Sequence, residues 1–184
     1  EKKDLSSEAA RDLWMRLAEW RKDKILDNAA AERAFEQALK HDPSSETILR
    51  NIEGLQRVAG RERELVETLR RLAALDGLQH QAADLRREAK GLAEGVLADN
   101  ALSEAILRDM IKADDNDAWA LAELTKVREK ADDYKEVFTL LVRQAEVAAE
   151  GDKIREIKHR AAAVAREKLG DDKKAIELYG QIFE

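Results

Sequence analysis

The segment DNAAAERAFEQALKHDP, residues 27–43, decides the fold of this chain. It places Ala31, Phe35 and Ala38 at spacings of four and three residues and ends at Pro43. Residues at these spacings lie on one face of an α-helix. The segment therefore predicts an amphipathic helix whose alanines let a neighbouring helix approach while the aromatic ring fills the remaining space.

The same spacing recurs in every second predicted helix. The five triplets start at positions 31, 65, 103, 137 and 175, so that a shorter and a longer interval alternate. The true period is therefore a double repeat, two hairpins long, and the same shift superposes Asp27, Asp99 and Asp171. The triplets are Ala31/Phe35/Ala38, Leu65/Leu69/Leu72, Ser103/Leu107/Met110, Val137/Leu141/Gln144 and Ala175/Tyr179/Ile182.

Turn and capping residues interrupt the helical periodicity at nine places, which predicts ten helices and no β-strand. Asp133 followed by Glu136 has the pattern of a capping box. We predict one array of five antiparallel helix pairs over residues 1–184, with hairpins at about 5–43, 44–77, 78–114, 115–150 and 151–184. The second helices are predicted to begin near Asn28, Glu62, Asn100, Asp133 and Asp172.

The first and last hairpins resemble the tetratricopeptide repeat (TPR). The resemblance rests on Trp14, Leu17, Ala18, Ala31, Phe35, Ala38 and Pro43, and on residues 168–179. Hairpins two to four depart from the motif, with Leu72, Met110 and Gln144 where the family has a small residue, and Ala18 stands where its first helix often has glycine. The resemblance implies an all-α, right-handed α-solenoid, bacterial in character, that binds proteins or peptides.

Composition excludes several classes of protein. The 184 residues include 33 Lys and Arg against 39 Asp and Glu, a net charge of -6, and no cysteine. The acidic balance argues against nucleic acid as a partner, since phosphate binding needs clustered positive charge. The lack of cysteine excludes disulfides and thiolate chemistry. No apolar stretch approaches the roughly 18 residues of a membrane span, so no membrane insertion is expected.

Nothing in the sequence predicts an enzyme, a cofactor or a metal site. His41, His80 and His159 fall in different hairpins and are expected to be surface residues. The acidic run 114–117 lacks the glycine and distal glutamate of a calcium loop and is expected to cap the helix of Trp119. Gly91 and Gly95 form a small-xxx-small pair, which predicts the close approach of a neighbouring helix.

The resemblance implies a binding groove lined by the first helix of each hairpin. Trp20 lies about 240° around its helix from Trp14, so it either covers the N-terminal edge or anchors a partner. A two-carboxylate clamp for chaperone C-termini is disfavoured, because Asn51 is the only asparagine well inside a first helix. The candidate partner-binding residues are Trp20, Arg50, Asn51, Arg57, Arg86, Arg87, Lys126 and Arg128.

The predicted function is a non-enzymatic scaffold that binds a protein or peptide. The alternative is a helical sensor or linker region of a larger enzyme or signalling protein. The last helix is apolar around much of its circumference, at Ile176, Leu178, Tyr179, Ile182 and Phe183. We therefore expect self-association through this edge, and a longer parent protein that continues with a further hairpin. We favour a cytoplasmic location.

Overall fold

The structure, a computed structural model, describes residues 5–183, with only the backbone at Phe183. The described residues form ten α-helices and no strand. The prediction of an all-α, TPR-like order of helix pairs is confirmed. The helices are α1 Ser7–Trp20, α2 Asn28–His41, α3 Glu46–Ala59, α4 Glu62–Ala73, α5 Gln79–Gly95, α6 Asn100–Ala113, α7 Ala118–Lys130, α8 Tyr134–Val147, α9 Gly151–Glu167 and α10 Asp172–Phe183.

The second helices begin where the sequence predicts. Helices α2, α4, α6 and α10 start at Asn28, Glu62, Asn100 and Asp172, and Asp133 is the N-cap of α8. The capping box forms only by half: Asp133 accepts a hydrogen bond from the Glu136 amide, but the Glu136 carboxylate turns to arginine side chains instead. Among the described residues, no helix combines the length and apolar character needed to cross a membrane.

The chain divides into two compact units, Glu1–Ser103 and Glu104–Glu184, and the division falls within α6. In the first unit each helix from α1 to α5 packs on the next, and in the second unit each helix from α7 to α10 does the same. Sequential packing of this kind is typical of helical repeats, in which each hairpin contacts its neighbours. That all five hairpins form one array remains a prediction.

The triplets of the double repeat supply the core. The first four triplets are buried throughout, and Phe35, Leu69, Leu107 and Leu141 are fully enclosed. In the last triplet Ala175 is buried, whereas Tyr179 and Ile182 are half-buried. Burial of a side chain of this size stabilises a fold by about 1.5–3 kcal/mol, so the repeated triplets account for much of the packing energy.

The double repeat is also visible in the turns before α2, α6 and α10. Leu26, Ala98 and Gly170, at equivalent positions of successive double repeats, have positive φ angles of 60°, 49° and 65°. In each turn the amide of the following aspartate donates a hydrogen bond to a carbonyl six residues earlier, at 3.0, 2.8 and 2.8 Å. The aspartate side chains then accept from the amides of Ala30, Leu102 and Lys174. One turn geometry therefore ends a first helix and caps the second at all three places.

Two expectations about exposed residues have different outcomes. The side chains of His41, His80 and His159 are exposed, as predicted. The prediction for Gly91 is wrong: a β-carbon added there would meet no atom within 4 Å, and the same holds at Gly95. Both glycines lie on the exposed side of α5, so no described helix uses the space they leave.

A candidate binding cleft between helices α8, α9 and α10

An apolar cleft of about 540 Å³ opens in the second unit between α8, α9 and α10. Its floor is apolar and its rim carries charges of both signs. The lining residues are Phe138, Val142, Ala145, Glu146, Ile154, Lys158, Ala161, Lys174, Glu177, Leu178 and Gln181. This volume lies within the range of about 300–1,000 Å³ that is usual for ligand sites.

The floor of the cleft is the surface of the second unit's core. Ala145, Ala161 and Leu178 belong to the buried cluster that joins the three helices, and Phe138 and Val142 pack against its edge while remaining half-exposed. Since the floor residues are held by core packing, the cleft exists before any partner arrives. A partner's apolar side chain could be buried there without rearrangement of the helices.

The first unit has larger cationic groups at two of the positions that line the cleft. At the equivalent positions one double repeat earlier, Arg70 stands in place of Val142 and Arg86 in place of Lys158. The guanidinium of Arg86 reaches across from α5 and donates to the carbonyl of Ala73 at 3.1 Å. Lys158 lacks this planar group and lies on the rim of the cleft. At these two positions the second unit thus has a valine and a lysine where the first unit has arginines.

Charged side chains border the cleft without closing it. The ammonium of Lys174 lies 5.4 Å from the centre of the Phe138 ring, a cation–π geometry. Lys174 also pairs with Asp171 at 2.9 Å, and its hydrogen bond lowers the pKa of that carboxyl. With Glu146 and Glu177 on the same rim, a bound segment would meet both signs of charge.

A second, smaller cleft of about 390 Å³ in the same unit has a larger share of charged residues among those that line it. Arg108 pairs with Glu136 at 2.8 Å, and Arg143 pairs with Asp115 at 2.5 Å. These carboxylates neutralise two of the three cations that line the cleft. The cleft between α8, α9 and α10 is therefore the stronger candidate.

The predicted residues of α3 take part in bridges between first helices. Arg50 donates to Gln81 at 2.7 Å, and Arg57 pairs with Glu88 at 2.5 Å, both toward α5. Asn51 accepts from Lys22 at 3.0 Å. The pKa of Arg57 is raised above its usual value, first by its hydrogen bond to Glu88 and then by its hydrogen bond to Glu53.

The remaining predicted cations also have partners within the chain. Arg86 donates to a carbonyl of α4, Arg87 pairs with Asp84, and Lys126 pairs with Glu123. Arg128 is largely enclosed between Glu104, Asp133 and Glu136. Trp20, the aromatic residue among the eight, has 55% of its surface exposed. None of the eight predicted residues lines either cleft.

One of these bridges recurs in the second unit with its charges exchanged. Glu129 is the double-repeat equivalent of Arg57, and Arg160 is the equivalent of Glu88. Arg160 pairs with Glu129 at 2.8 Å, so the carboxylate is now on the earlier helix and the guanidinium on the later one. The charge exchange preserves an attraction between successive first helices, which indicates that the pair has a structural role.

Sequence reasoning missed the residues of the cleft. The signal that could have found them is the alignment of the double repeats, in which charged Arg70 corresponds to apolar Val142. An apolar residue at a position that is charged in the sister repeat indicates surface available for a partner. The repeat was recognised from positions that hold similar residues in each double repeat. Val142 was therefore overlooked, because it differs from its equivalent, Arg70.

No family model matches the sequence, and no curated protein matches it. Solved structures with similar helix arrangements include that of the MamA protein, at 15% identity and a TM-score of 0.45 over 95% of this chain and 90% of that chain. A second is YrrB, described as a TPR protein with an unusual peptide-binding site, at 14% identity and 0.42 over 92% and 83%. A third is pilF of Pseudomonas aeruginosa, at 16% identity and 0.44 over 94% and 75%. These likenesses assign no site to this chain.

Proposed function

We propose that this protein is a non-enzymatic scaffold that binds a protein partner, and that the cleft between α8, α9 and α10 receives the apolar face of an amphipathic helix from that partner. The observation that carries this proposal is the preformed apolar floor at Phe138, Val142 and Leu178 inside a charged rim. Helix recognition in grooves uses this combination, with apolar anchors for affinity and polar neighbours for orientation.

The chemistry of the cleft supports binding over catalysis. Its lining residues include no hydroxyl, thiol or imidazole group, and its polar members are two lysines, two glutamates and one glutamine on an open rim. Each apolar contact would contribute through area removed from water, at about 25 cal/mol per Å². Lys158 and Lys174 would pair with acidic residues of the partner helix, and Glu146 and Glu177 with basic ones.

The experiment is a peptide selection against the intact chain. Helical peptides from a random displayed library would be selected on the unmodified protein, and their affinities measured by fluorescence anisotropy. We expect Val142→Glu to weaken binding by about tenfold or more, equivalent to at least about 1.4 kcal/mol, because it places a carboxylate in the apolar floor. Ile176→Glu is the matched control, since Ile176 lies on α10 outside the cleft with 71% of its surface exposed.

Circular dichroism of both variants would confirm that the helices are intact. If the two variants bind every selected peptide as tightly as the unmodified chain, the cleft is not the site. If no peptide is selected at all, the result favours the alternative role of a sensor or linker region. Loss of binding in Ile176→Glu alone would place the partner on the outer side of α10.

A further inference from the structure

The smaller cleft of the second unit, between α6, α7 and α8, has more positive than negative side chains in its lining. Arg108, Lys112 and Arg143 line it together with Asp115 and Glu136. Arg108 pairs with Glu136, and Arg143 pairs with Asp115. Lys112 is exposed and pairs with no carboxylate in the described part of the chain. The lining therefore keeps a surplus of one positive charge, although the whole chain has a net charge of -6.

Below these charges the cleft has an apolar floor. Leu124 and Leu140 are buried, and Ile111 is half-buried beside them. The volume of about 390 Å³ is near the lower end of the range of ligand sites, about 300–1,000 Å³, so the cleft suits a short segment. All the lining residues lie between positions 108 and 143, far from both ends of the sequence.

The contact between Arg143 and Asp115 shows how the cleft receives a carboxylate. Asp115 lies in the loop between α6 and α7 with its side chain 78% exposed, and its carboxylate is 2.5 Å from the guanidinium of Arg143. One double repeat earlier, Arg71 corresponds to Arg143 and donates to the carbonyl of Pro43, which corresponds to Asp115, at 3.5 Å. The arginine thus contacts the loop in both units, but it meets a carboxylate of that loop only in the second.

An ion pair as exposed as that of Arg143 and Asp115 exchanges readily. Both groups are well hydrated when apart, so such a pair changes an equilibrium by about fivefold at most. Arg108 differs, because it pairs with Glu104 at 2.9 Å as well as with Glu136 at 2.8 Å. A carboxylate from outside can therefore replace Asp115 at Arg143 while Arg108 keeps both of its partners.

We propose that this cleft binds an acidic segment of a partner protein, and that Asp115 competes with that segment for Arg143. The segment places carboxylates at Arg143 and Lys112 and an apolar side chain on the floor at Leu140. A basic segment would add to the surplus of positive charge, and a neutral one would leave it uncompensated. This cleft is separate from the one between α8, α9 and α10, and the proposal does not depend on that site.

The test measures short fluorescein-labelled peptides on the intact chain by fluorescence anisotropy. The acidic peptide has one leucine between two glutamates, and the basic peptide has lysines in place of the glutamates. We expect the acidic peptide to bind about tenfold more tightly, since two exposed ion pairs contribute up to about fivefold each, and added salt should reduce this preference. Equal binding of the two peptides, or no binding of the acidic one, overturns the proposal.

Single variants then test the two cations. Arg143→Gln and Lys112→Gln should each weaken binding of the acidic peptide by about two- to fivefold. Lys40→Gln is the matched control for Lys112→Gln, because Lys40 is its exposed double-repeat equivalent on α2. Arg155→Gln is the control for Arg143→Gln, because Arg155 also pairs with one exposed aspartate. If the controls weaken binding as much as the cleft variants, the peptide does not bind in the cleft and the proposal fails.

The competition by Asp115 has its own test. Asp115→Asn should tighten binding of the acidic peptide by up to about fivefold, whereas Asp152→Asn, which removes the same charge from another exposed ion pair, should not. In the Arg143→Gln background, Asp115→Asn should have no further effect, because the group for which it competes is gone. Equal tightening in both backgrounds would mean that Asp115 acts by general repulsion, and would overturn the competition. Circular dichroism of each variant checks that the helices are intact.

Discussion

The three turns with positive φ angles make one prediction that can be worked through in energy. Leu26, Ala98 and Gly170 share a left-handed backbone conformation, and only the last position has the residue that adopts it without steric cost. We predict that Leu26→Gly stabilises the protein and that Gly170→Ala destabilises it. Leu26→Gly introduces a glycine at the left-handed position of one turn, and Gly170→Ala removes the glycine from the equivalent position of another turn.

The magnitude follows from two opposing terms. The left-handed conformation costs a residue with a β-carbon about 1–2 kcal/mol, and glycine costs about 0.5–1 kcal/mol in lost backbone freedom. The difference predicts a gain of about 0.5–1 kcal/mol for Leu26→Gly and a similar loss for Gly170→Ala. The leucine side chain is 78% exposed, so its removal costs little burial. A β-carbon at Gly170 would meet no atom within 4 Å, so the loss there is conformational.

Urea denaturation followed by circular dichroism at the helix band measures both changes. Each compact unit is fitted with its own transition if the two unfold separately, because a single free energy of unfolding requires two-state behaviour. Leu26→Ala is the control, since it removes the side chain but keeps the β-carbon. If Leu26→Gly is no more stable than Leu26→Ala, the left-handed conformation stores no strain at this turn and the reasoning fails.

Three further predictions concern the core, the bridges and the caps. Phe35→Ala should destabilise the protein by about 3–5 kcal/mol because the ring is fully buried, whereas exposed His159→Ala should stay within about 0.5 kcal/mol; similar thermal melts for the two would contradict the assignment of core and surface. Arg57→Glu should lower the urea midpoint, and adding Glu88→Arg should recover part of the loss, because the exchanged pair occurs in the second unit but Arg57 also pairs with Glu53; no recovery at all would contradict a structural role for the pair. The pKa of Asp99 is lowered, first by the hydrogen bond from the Leu102 amide and then by that from Arg63. The ionised carboxylate therefore stabilises the fold fully above the unfolded pKa of about 4, and this stabilisation is lost as the pH falls through the lower folded pKa. Asp99→Asn should therefore reduce the loss of stability on acidification, and an unchanged pH profile from pH 5 to 2 would argue against it.

The edge formed by α10 is covered only in part. Ala175 and Leu178 are buried, whereas Ile176 is 71% exposed and Tyr179 is half-buried. The side chain of Phe183 lies outside the described residues. Self-association through this edge therefore stays a prediction. Light scattering of Tyr179→Glu/Phe183→Glu beside the unmodified chain tests it, and equal monomeric behaviour of both at high concentration would contradict it.

The candidate site was harder to predict than the helices, for a physical reason. Most of the eight candidate residues are cations expected on the inner face, but a charge in sequence does not reveal its partner in space. The sequence therefore favours Arg57 and Arg128 as binding residues, although the fold pairs both with glutamates of other helices. The apolar floor of the cleft includes Val142, whereas the equivalent position of the first unit holds Arg70.

The sequence by itself determined the number, order and starting points of the described helices. These features are local: Asp27, Asp99 and Asp171 cap the helices that follow them through hydrogen bonds within three residues. Which helix faces are covered was decided only by the tertiary structure. Leu13 and Ile157 occupy equivalent positions with equivalent chemistry, yet one is 52% exposed and the other 7%. Burial depends on what packs against a helix, and no local pattern encodes the neighbour.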